Sequence, residues 1–230
     1  MEHQIVEFSD AFSAWEYWNL TGFDSKSEHM MAFKNALATS HPEWSEVVCF
    51  HIEQAAGCIG FSRQLIGPTG ESNELYCAGR GVTVIIMEAE QENARSAVIA
   101  QLTCALVAGN SVVLCSDDHT LVKELERAYQ CSSLPMNIIQ FAALDTAEKM
   151  LQPDVRVVGF VGTLIGEINL NRQLAARSGV IVSLVSETDL ATLPMAHDPH
   201  LSLRFMTERT RTINITAVGG NATLLGAANG

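Results

Sequence analysis

From residue 81 onward, the chain alternates short apolar runs with longer segments that place apolar residues on one face. Apolar runs bounded by turn residues are typical of buried strands, and apolar spacings of three and four residues predict helices. Repeated strand–helix units with nearly all-apolar strands predict a parallel sheet covered on both faces. The predicted strands are residues 82–87, 111–116, 136–142, 156–162 and 180–185, and the predicted helices are 92–108, 119–130, 146–151 and 164–177.

The two ends of the chain have different patterns. Residues 1–66 look mostly helical: a helix is predicted over 27–40, while 44–56 fits either a helix or a strand. A turn-rich loop, residues 67–73, separates this part from the α/β repeat. Residues 209–216 alternate with a period of two and predict a strand with one exposed face, followed by a glycine turn and a second short strand, 223–225.

These patterns predict an α/β fold with a doubly wound, mostly parallel sheet, a helical N-terminal segment and a C-terminal β-flap. The expected divisions are residues 1–66, 67–206 and 207–230. The terminal strand pair has no helix behind it, so we expect it to project and to pair with another strand edge. In this β-flap, Gly219 and Gly220 would allow a tight turn.

Composition excludes several classes of function. The chain has 230 residues, 47% of them hydrophobic, and a net charge of −12, which disfavours partners such as nucleic acid or an anionic membrane. No apolar run approaches the ~20 residues that a membrane helix needs. The first residues lack the basic and apolar regions of a secretory leader. We therefore expect a cytoplasmic protein.

Neither the cysteines nor the histidines predict a metal site. The six cysteines form no C-x-x-C pair and sit in or beside apolar stretches, as small buried hydrophobes do in a reducing compartment. His197 and His200 could hold a metal, but no third ligand is evident, and a surface loop is the simpler interpretation. No metal is therefore expected.

The segment 105–118 contains a Gly-Asn turn, a buried strand and then the loop Cys-Ser-Asp-Asp, residues 115–118. In a doubly wound sheet, loops at the carboxyl ends of the strands hold the nucleotide. This loop is acidic and contains no cation, which is unfavourable for binding phosphates. The pattern indicates a cofactor fold without the cofactor chemistry.

Four segments carry a family resemblance: residues 67–73 (Gly-Pro-Thr-Gly-Glu-Ser-Asn), 80–84, 105–110 and the ending 208–225 with its Gly-Gly-Asn-Ala. They resemble the aldehyde dehydrogenase superfamily, and in particular the additional aldehyde-dehydrogenase-like C-terminal domain of the proline utilization A family. The resemblance covers about residues 67–225. It implies a Rossmann-type sheet of the aldehyde dehydrogenase kind.

The resemblance also shows which catalytic residues are missing. The superfamily's oxyanion asparagine should follow the first strand, where Glu88 and Glu90 stand instead and would repel a developing negative charge. The ribose-binding lysine is replaced by Cys115. No cysteine lies after residue 131, so the interval 188–209 holds no candidate nucleophile.

Four residues remain as vestigial cofactor-binding positions. Asp118 could still accept ribose hydroxyls. Gly162 and Thr163 belong to a turn that resembles the superfamily's pyrophosphate-binding helix start. Glu187 falls on the position of the general-base glutamate. We expect no cofactor, with NAD as the alternative.

By resemblance, such a domain packs over a dehydrogenase active site, helps to wall off a substrate tunnel, and associates through its flap. The expected function is therefore non-catalytic, and the alternative is an NAD-binding pyrroline-5-carboxylate dehydrogenase module. The partner would be a second copy of this chain or the proline-oxidising enzyme in trans. Arg209 and Arg211 could be solvated edge charges or could pair with a partner's carboxylates. The expected association residues are Arg209, Arg211, Ile213, Ile215, Gly219, Gly220 and Asn221.

Overall fold

The computed structural model describes residues 8–67 and 70–214. The α-helices are α1 Phe8–Leu20, α2 Phe23–Ala38, α3 Pro42–Ile59, α4 Glu92–Val107, α5 His119–Gln130, α6 Ala147–Met150 and α7 Leu164–Ala176. The strands are β1 Arg63–Leu65, β2 Glu71–Gly79, β3 Val82–Met87, β4 Ser111–Ser116, β5 Ile139–Ala142, β6 Val157–Val161, β7 Ser183–Glu187 and β8 Met206–Asn214. No helix in the described ranges is long and apolar enough to cross a membrane.

Five strands form a parallel sheet in the order β5-β4-β3-β6-β7. The central strand β3 sets Val84 opposite Val113 of β4 and Val158 of β6. Helices α4 and α5 cover one face of the sheet, whereas α1, α6 and α7 cover the other. The predicted fold class, a doubly wound α/β fold, is therefore confirmed.

The helices of the N-terminal segment cover the outer face of helix α4. Both its sheet-facing and outward-facing residues are buried, because α2 and α3 pack over it in a third layer. Trp18 of α1 is buried and donates from Nε1 to the carbonyl of Leu106 at 2.8 Å, near the end of α4. In α3, which the sequence left open between helix and strand, Trp44, Val48 and Ile52 are buried at helical spacing.

Strands β5 and β7 differ most from their predicted bounds, for local reasons, whereas β6 is one residue shorter at each end. β5 begins at Ile139 rather than residue 136, because the preceding turn holds Asn137 at a φ of 63°. β7 runs from Ser183 to Glu187 rather than over 180–185, because Gly179 at a φ of 102° follows α7 and the chain re-enters the sheet only afterwards.

The second sheet is antiparallel, with the order β1-β2-β8. Strand β8 pairs along its whole length with β2, from Glu71 opposite Asn214 to Gly79 opposite Met206. The end of the predicted loop 67–73 is therefore strand, which corrects that prediction. The remaining flap predictions, Ile215, Gly219, Gly220, Asn221 and the strand 223–225, lie outside the described residues.

Candidate functional site

A crevice lies where the carboxyl ends of β3 and β6 face α6 and α7. These strands connect to helices on opposite faces of the sheet, and such a point is where doubly wound folds bind ligands. The cavity has a volume of about 230 Å³. Its lining consists of Ile86, Glu88, Leu144, Asp145, Ala147, Glu148, Leu151, Phe160, Gly166, Asn169, Leu170 and Gln173, which include three carboxylates and no cation.

Glu88 lies at the start of α7. Its backbone continues β3, with its N–H donating to the carbonyl of Val161 at 2.9 Å. A β-carbon on Gly166, in the first turn of α7, would overlap Oε2 of Glu88. The unpaired N–H groups of a helix start attract anions, and here the nearby anion is the protein's own carboxylate. A dinucleotide pyrophosphate would meet a negative charge at this position, so the residues present do not fit that group.

Thr163 and Gly162 help to form the start of α7. Thr163 is the N-cap residue, and its Oγ1 accepts a hydrogen bond from the N–H of Gly166 at 3.1 Å. The N–H of Gly162 donates to the carbonyl of Glu187 at 3.2 Å. The two predicted residues thus lie at the crevice, and each of these hydrogen bonds holds the local backbone.

The carboxylate of Asp118 is fully engaged within the protein. As the N-cap of α5, its Oδ1 accepts from the N–H groups of Thr120 at 3.1 Å and Leu121 at 3.0 Å. Its Oδ2 accepts from Nε of Arg95 at 2.7 Å. Burial raises the pKa of Asp118, but the hydrogen bonds and charge of Arg95 outweigh it, so the pKa lies below its ordinary value.

Arg95 is the residue that sequence reasoning missed at this loop. It extends from the first turn of α4 and also pairs with Glu92 at 2.7 Å. The loop 115–118 has no cation of its own, yet the fold supplies one from a helix beginning near the same edge of the sheet. This topology is the signal that could have indicated a cation beside the loop, because helices that follow parallel strands start at the carboxyl edge of the sheet.

Glu187 ends β7 and is buried with 1% exposure. Its Oε2 accepts from the N–H groups of Met195 at 2.7 Å and Ala196 at 3.1 Å. The carbonyl of Ala196 in turn accepts from Nε2 of His51 at 2.9 Å, and burial lowers the pKa of that imidazole. Glu187, predicted to correspond to the superfamily's general base, therefore holds the loop after β7, and His51 joins that loop to α3.

No thiol lines the crevice within the described residues. Cys115, predicted to replace a lysine, is a buried strand residue, and burial raises its pKa to about 12. Burial also raises the pKa of Cys104 well above its ordinary value. Both thiols are fully enclosed in the core, and this lack of access disfavours them as nucleophiles. His197 and His200 lie in an exposed loop, and no group of three metal-ligating side chains occurs in the described part of the chain.

The described flap residues lie along β8. Arg211 pairs with Glu74 of the neighbouring β2, and its guanidinium is 5.8 Å from the centre of the Tyr76 ring. Arg209 and Ile213 are exposed. The sequence left two interpretations of these arginines, as solvated edge charges or as partners of carboxylates on another molecule. Arg211 pairs with a carboxylate of its own chain.

The comparisons with known proteins agree with this architecture. No family model matches the chain. Bifunctional protein PutA of Escherichia coli (strain K12) is 30% identical over 188 residues, which are 82% of this chain and 13% of that protein. A crystal structure of Bradyrhizobium japonicum proline utilization A, mutant D778Y, superposes with a TM-score of 0.66 at 23% identity, over 79% of this chain and 21% of that one.

An NAD-dependent benzaldehyde dehydrogenase from Corynebacterium glutamicum superposes with a TM-score of 0.60 at 19% identity, over 79% of this chain and 45% of that one. The fold is therefore the Rossmann-type fold of the aldehyde dehydrogenases. The predicted resemblance is confirmed: the chain is an aldehyde-dehydrogenase-like domain related to proline utilization A. It spans 13% of the length of the curated relative that it matches.

Proposed function

We propose that this chain is a non-catalytic aldehyde-dehydrogenase-like domain that packs over part of a dehydrogenase in proline catabolism and associates through its three-stranded sheet. The observation that carries the proposal is the position of Glu88. Its carboxylate lies against the start of α7, where a dinucleotide would need a free helix terminus.

The neighbouring groups support the same conclusion. Asp145 and Glu148 line the crevice together with Glu88, so a pyrophosphate would meet repulsion rather than attraction. Asp118 already accepts four hydrogen bonds, two from Arg95 and one each from Thr120 and Leu121. The ribose and the pyrophosphate of NAD are therefore both left without a suitable receptor in the described residues.

The surface beside the crevice supports a covering role. The first two turns of α7 expose Leu164, Ile165 and Ile168, with exposed fractions of 60%, 73% and 43%. Apolar side chains grouped on one exposed helix face are typical of protein–protein contacts. This face is therefore a candidate contact with a dehydrogenase.

Calorimetric titration of the chain with NAD⁺ tests the non-catalytic role. We expect no saturable heat at micromolar concentrations, with a full-length proline utilization A enzyme as the positive control. Saturable micromolar binding would overturn the proposal. Oxidation of glutamate semialdehyde by the isolated chain would overturn it as well.

The partner is tested separately by affinity capture. The chain is immobilised and incubated with the purified proline-oxidising enzyme of the same cell, and an unrelated α/β protein of similar charge is the control. Retention of the enzyme supports action in trans. If nothing is retained while the chain self-associates, the partner is a second copy.

One observation favours the alternative function, an NAD-binding dehydrogenase module. The start of α7 is still capped by Thr163 and still lies beside the crevice. Neutralising Glu88 with Glu88→Gln separates the two functions, because a retained cofactor site would bind NAD⁺ more tightly without that charge. A non-catalytic domain remains without saturable binding in both forms.

A further inference from the structure

A second cavity, of about 310 Å³, lies away from the crevice between the end of α3 and the three-stranded sheet. Two of its lining residues are half-buried cysteines, Cys58 on the last turn of α3 and Cys77 on β2. The full lining is Gly57, Cys58, Phe61, Arg63, Leu75, Tyr76, Cys77, Leu203, Met206 and Glu208.

Both thiols lie near the point where α3 leads into the pairing of β1 with β2. The pairing begins with Arg63 opposite Leu75, so Cys77 lies two residues beyond the paired part of β2, at the end of β1 that follows α3. Cys58 is on the last turn of α3, five residues before Arg63. Both cysteines also pack against the same core cluster.

The electrostatic surroundings agree with this proximity. Burial is the main cause that raises the pKa of Cys77, and Glu208 and Cys58 add to the rise. Arg63, on the wall of the same cavity, acts in the opposite direction. Each thiol is therefore within the electrostatic reach of the other, and both remain partly open to solvent.

The other four cysteines line neither this cavity nor the crevice. Cys49 donates to Oε1 of Glu53 at 3.4 Å, and Cys104 and Cys115 are enclosed in the core. Cys131 is exposed at the end of α5. Oxidation within the chain should therefore select Cys58 and Cys77.

We propose that Cys58 and Cys77 are a redox modification site. The two cysteines form a reversible disulfide bond with each other, and a small-molecule disulfide such as oxidised glutathione is the oxidant. The thiolate of one cysteine attacks the glutathione disulfide and expels one glutathione thiolate. The second cysteine, as thiolate, attacks the resulting mixed disulfide and expels the other. The two protein thiols lose two electrons and two protons, and one glutathione disulfide becomes two glutathione molecules.

The bond would tie the last turn of α3 to β2. It would thereby fix the three-stranded sheet to the helical layer, and the cross-link would restrict the unfolded chain. The oxidised protein is expected to unfold at a higher temperature than the reduced protein.

The test uses the full chain, incubated with oxidised glutathione, quenched with iodoacetamide and measured by intact mass and non-reducing peptide mapping. The expected product has lost two hydrogen atoms, contains a peptide joining residues 58 and 77, and reverts with dithiothreitol. Absence of this bridge, stable glutathione adducts on both cysteines, or a bridge to a different cysteine would overturn the proposal.

Serine variants test the assignment further. Cys58→Ser and Cys77→Ser should each stop at the mixed disulfide on the remaining cysteine, whereas Cys131→Ser should form the bridge as the wild type does. The wild-type mass measurement stands independently of whether a serine variant folds. A bridge that persists in Cys58→Ser would exclude the assigned pair.

Discussion

At the residue scale, Asn110 shows that a motif carrying the family resemblance has a packing role in this fold. Its side chain is fully buried, and its Oδ1 accepts from the N–H groups of Arg80 at 2.7 Å and Gly81 at 3.1 Å. Its Nδ2 donates to the carbonyls of Ala105 at 2.9 Å and Phe205 at 2.8 Å. One amide thus joins the end of α4, the entry to β3 and the segment before β8.

The turn before Asn110 also approaches the end of β2 closely, and glycine is required in both segments. A β-carbon at Gly79 would overlap the carbonyl of Gly109, and Gly109 itself has a φ of 99°. The Ala-Gly-Asn sequence therefore has a packing reason that is independent of any cofactor.

We expect Asn110→Ala to lower the free energy of unfolding by about 3 kcal/mol, because the N–H groups of Arg80 and Gly81 and the carbonyl of Phe205 all lose their side-chain partner. Urea denaturation measures the change. Asn171→Ala, on the exposed face of α7, is the matched control and should change stability by less than about 0.5 kcal/mol. A loss below about 1 kcal/mol for Asn110→Ala would contradict the role given to this amide.

Lys26 supplies a pH-dependent test at the same scale. Its ammonium group is buried against Gly109, at the end of α4, and burial lowers its pKa from 10.5 to about 8. Below pH 8 both the folded and the unfolded chain carry this proton. Between the two pKa values the unfolded chain binds more protons, so the free energy of unfolding rises with pH.

Relative to Lys26→Met, which cannot titrate, wild-type stability should therefore increase by about 2 kcal/mol between pH 7 and pH 10. Taking the difference between the two proteins cancels the titration of other groups. Paired urea titrations at both pH values measure it. A difference that does not change with pH would show that the lysine keeps its ordinary pKa.

At the element scale, the elements that were predicted well have a sequence pattern that is visible within the element and its flanking residues. β3 and β4 are mostly apolar, are buried throughout, and are bounded by glycine, asparagine or acidic residues. β2 was missed because its residues, Glu71–Gly79, do not alternate clearly, and it is a strand because β8 pairs with it. That partner lies more than a hundred residues away, beyond any local pattern.

The candidate site divides in the same way. Asp118 and Glu187 were both expected close to the carboxyl ends of strands, since the ends of apolar runs are visible in the sequence. Their partners were not predictable, because Arg95 and the loop at Met195 reach them only after the helices have packed. Strand position is a local property, whereas the environment of a carboxylate is a property of the assembled fold.

Asp118 caps α5 and pairs with Arg95 of α4, so a substitution at Asp118 tests the contact between these two helices. Asp118→Ala should lower the free energy of unfolding at pH 7 by about 2 kcal/mol, because α5 loses its N-cap and Arg95 loses its carboxylate. Asp118→Asn keeps an acceptor for the cap and should cost less. A double-mutant cycle with Arg95→Met measures the part due to the ion pair.

The pH dependence follows from the lowered pKa of Asp118. Its contribution is complete above the unfolded-state pKa near 3.8 and is lost as the pH falls through the lower folded-state value. The stability advantage of the wild type over Asp118→Asn should therefore shrink in acid. An advantage that persists at the lowest pH would mean that the carboxylate is not ion-paired.

At the scale of the whole molecule, charge and strand edges act together. The chain carries a net charge of −12. Strand β8 nevertheless exposes arginine, and among the described strands it pairs with β2 alone, so β8 lies at the edge of the described sheet. An edge strand is a place where a partner strand can add to a sheet. On an acidic protein, a cation at such an edge favours contact with the acidic surface of a second copy.

Arg209 is the residue to change, because Arg211 is already engaged by Glu74. If β8 forms the association edge, Arg209→Glu should weaken self-association at least about tenfold at low salt, since it places a like charge against an acidic partner. Sedimentation of the full chain over a concentration series gives the dissociation constant. The effect should diminish as sodium chloride screens the charges. Lys123→Glu changes the net charge equally on the exposed face of α5 and should leave association unchanged, so equal weakening in both variants would place the interface away from β8.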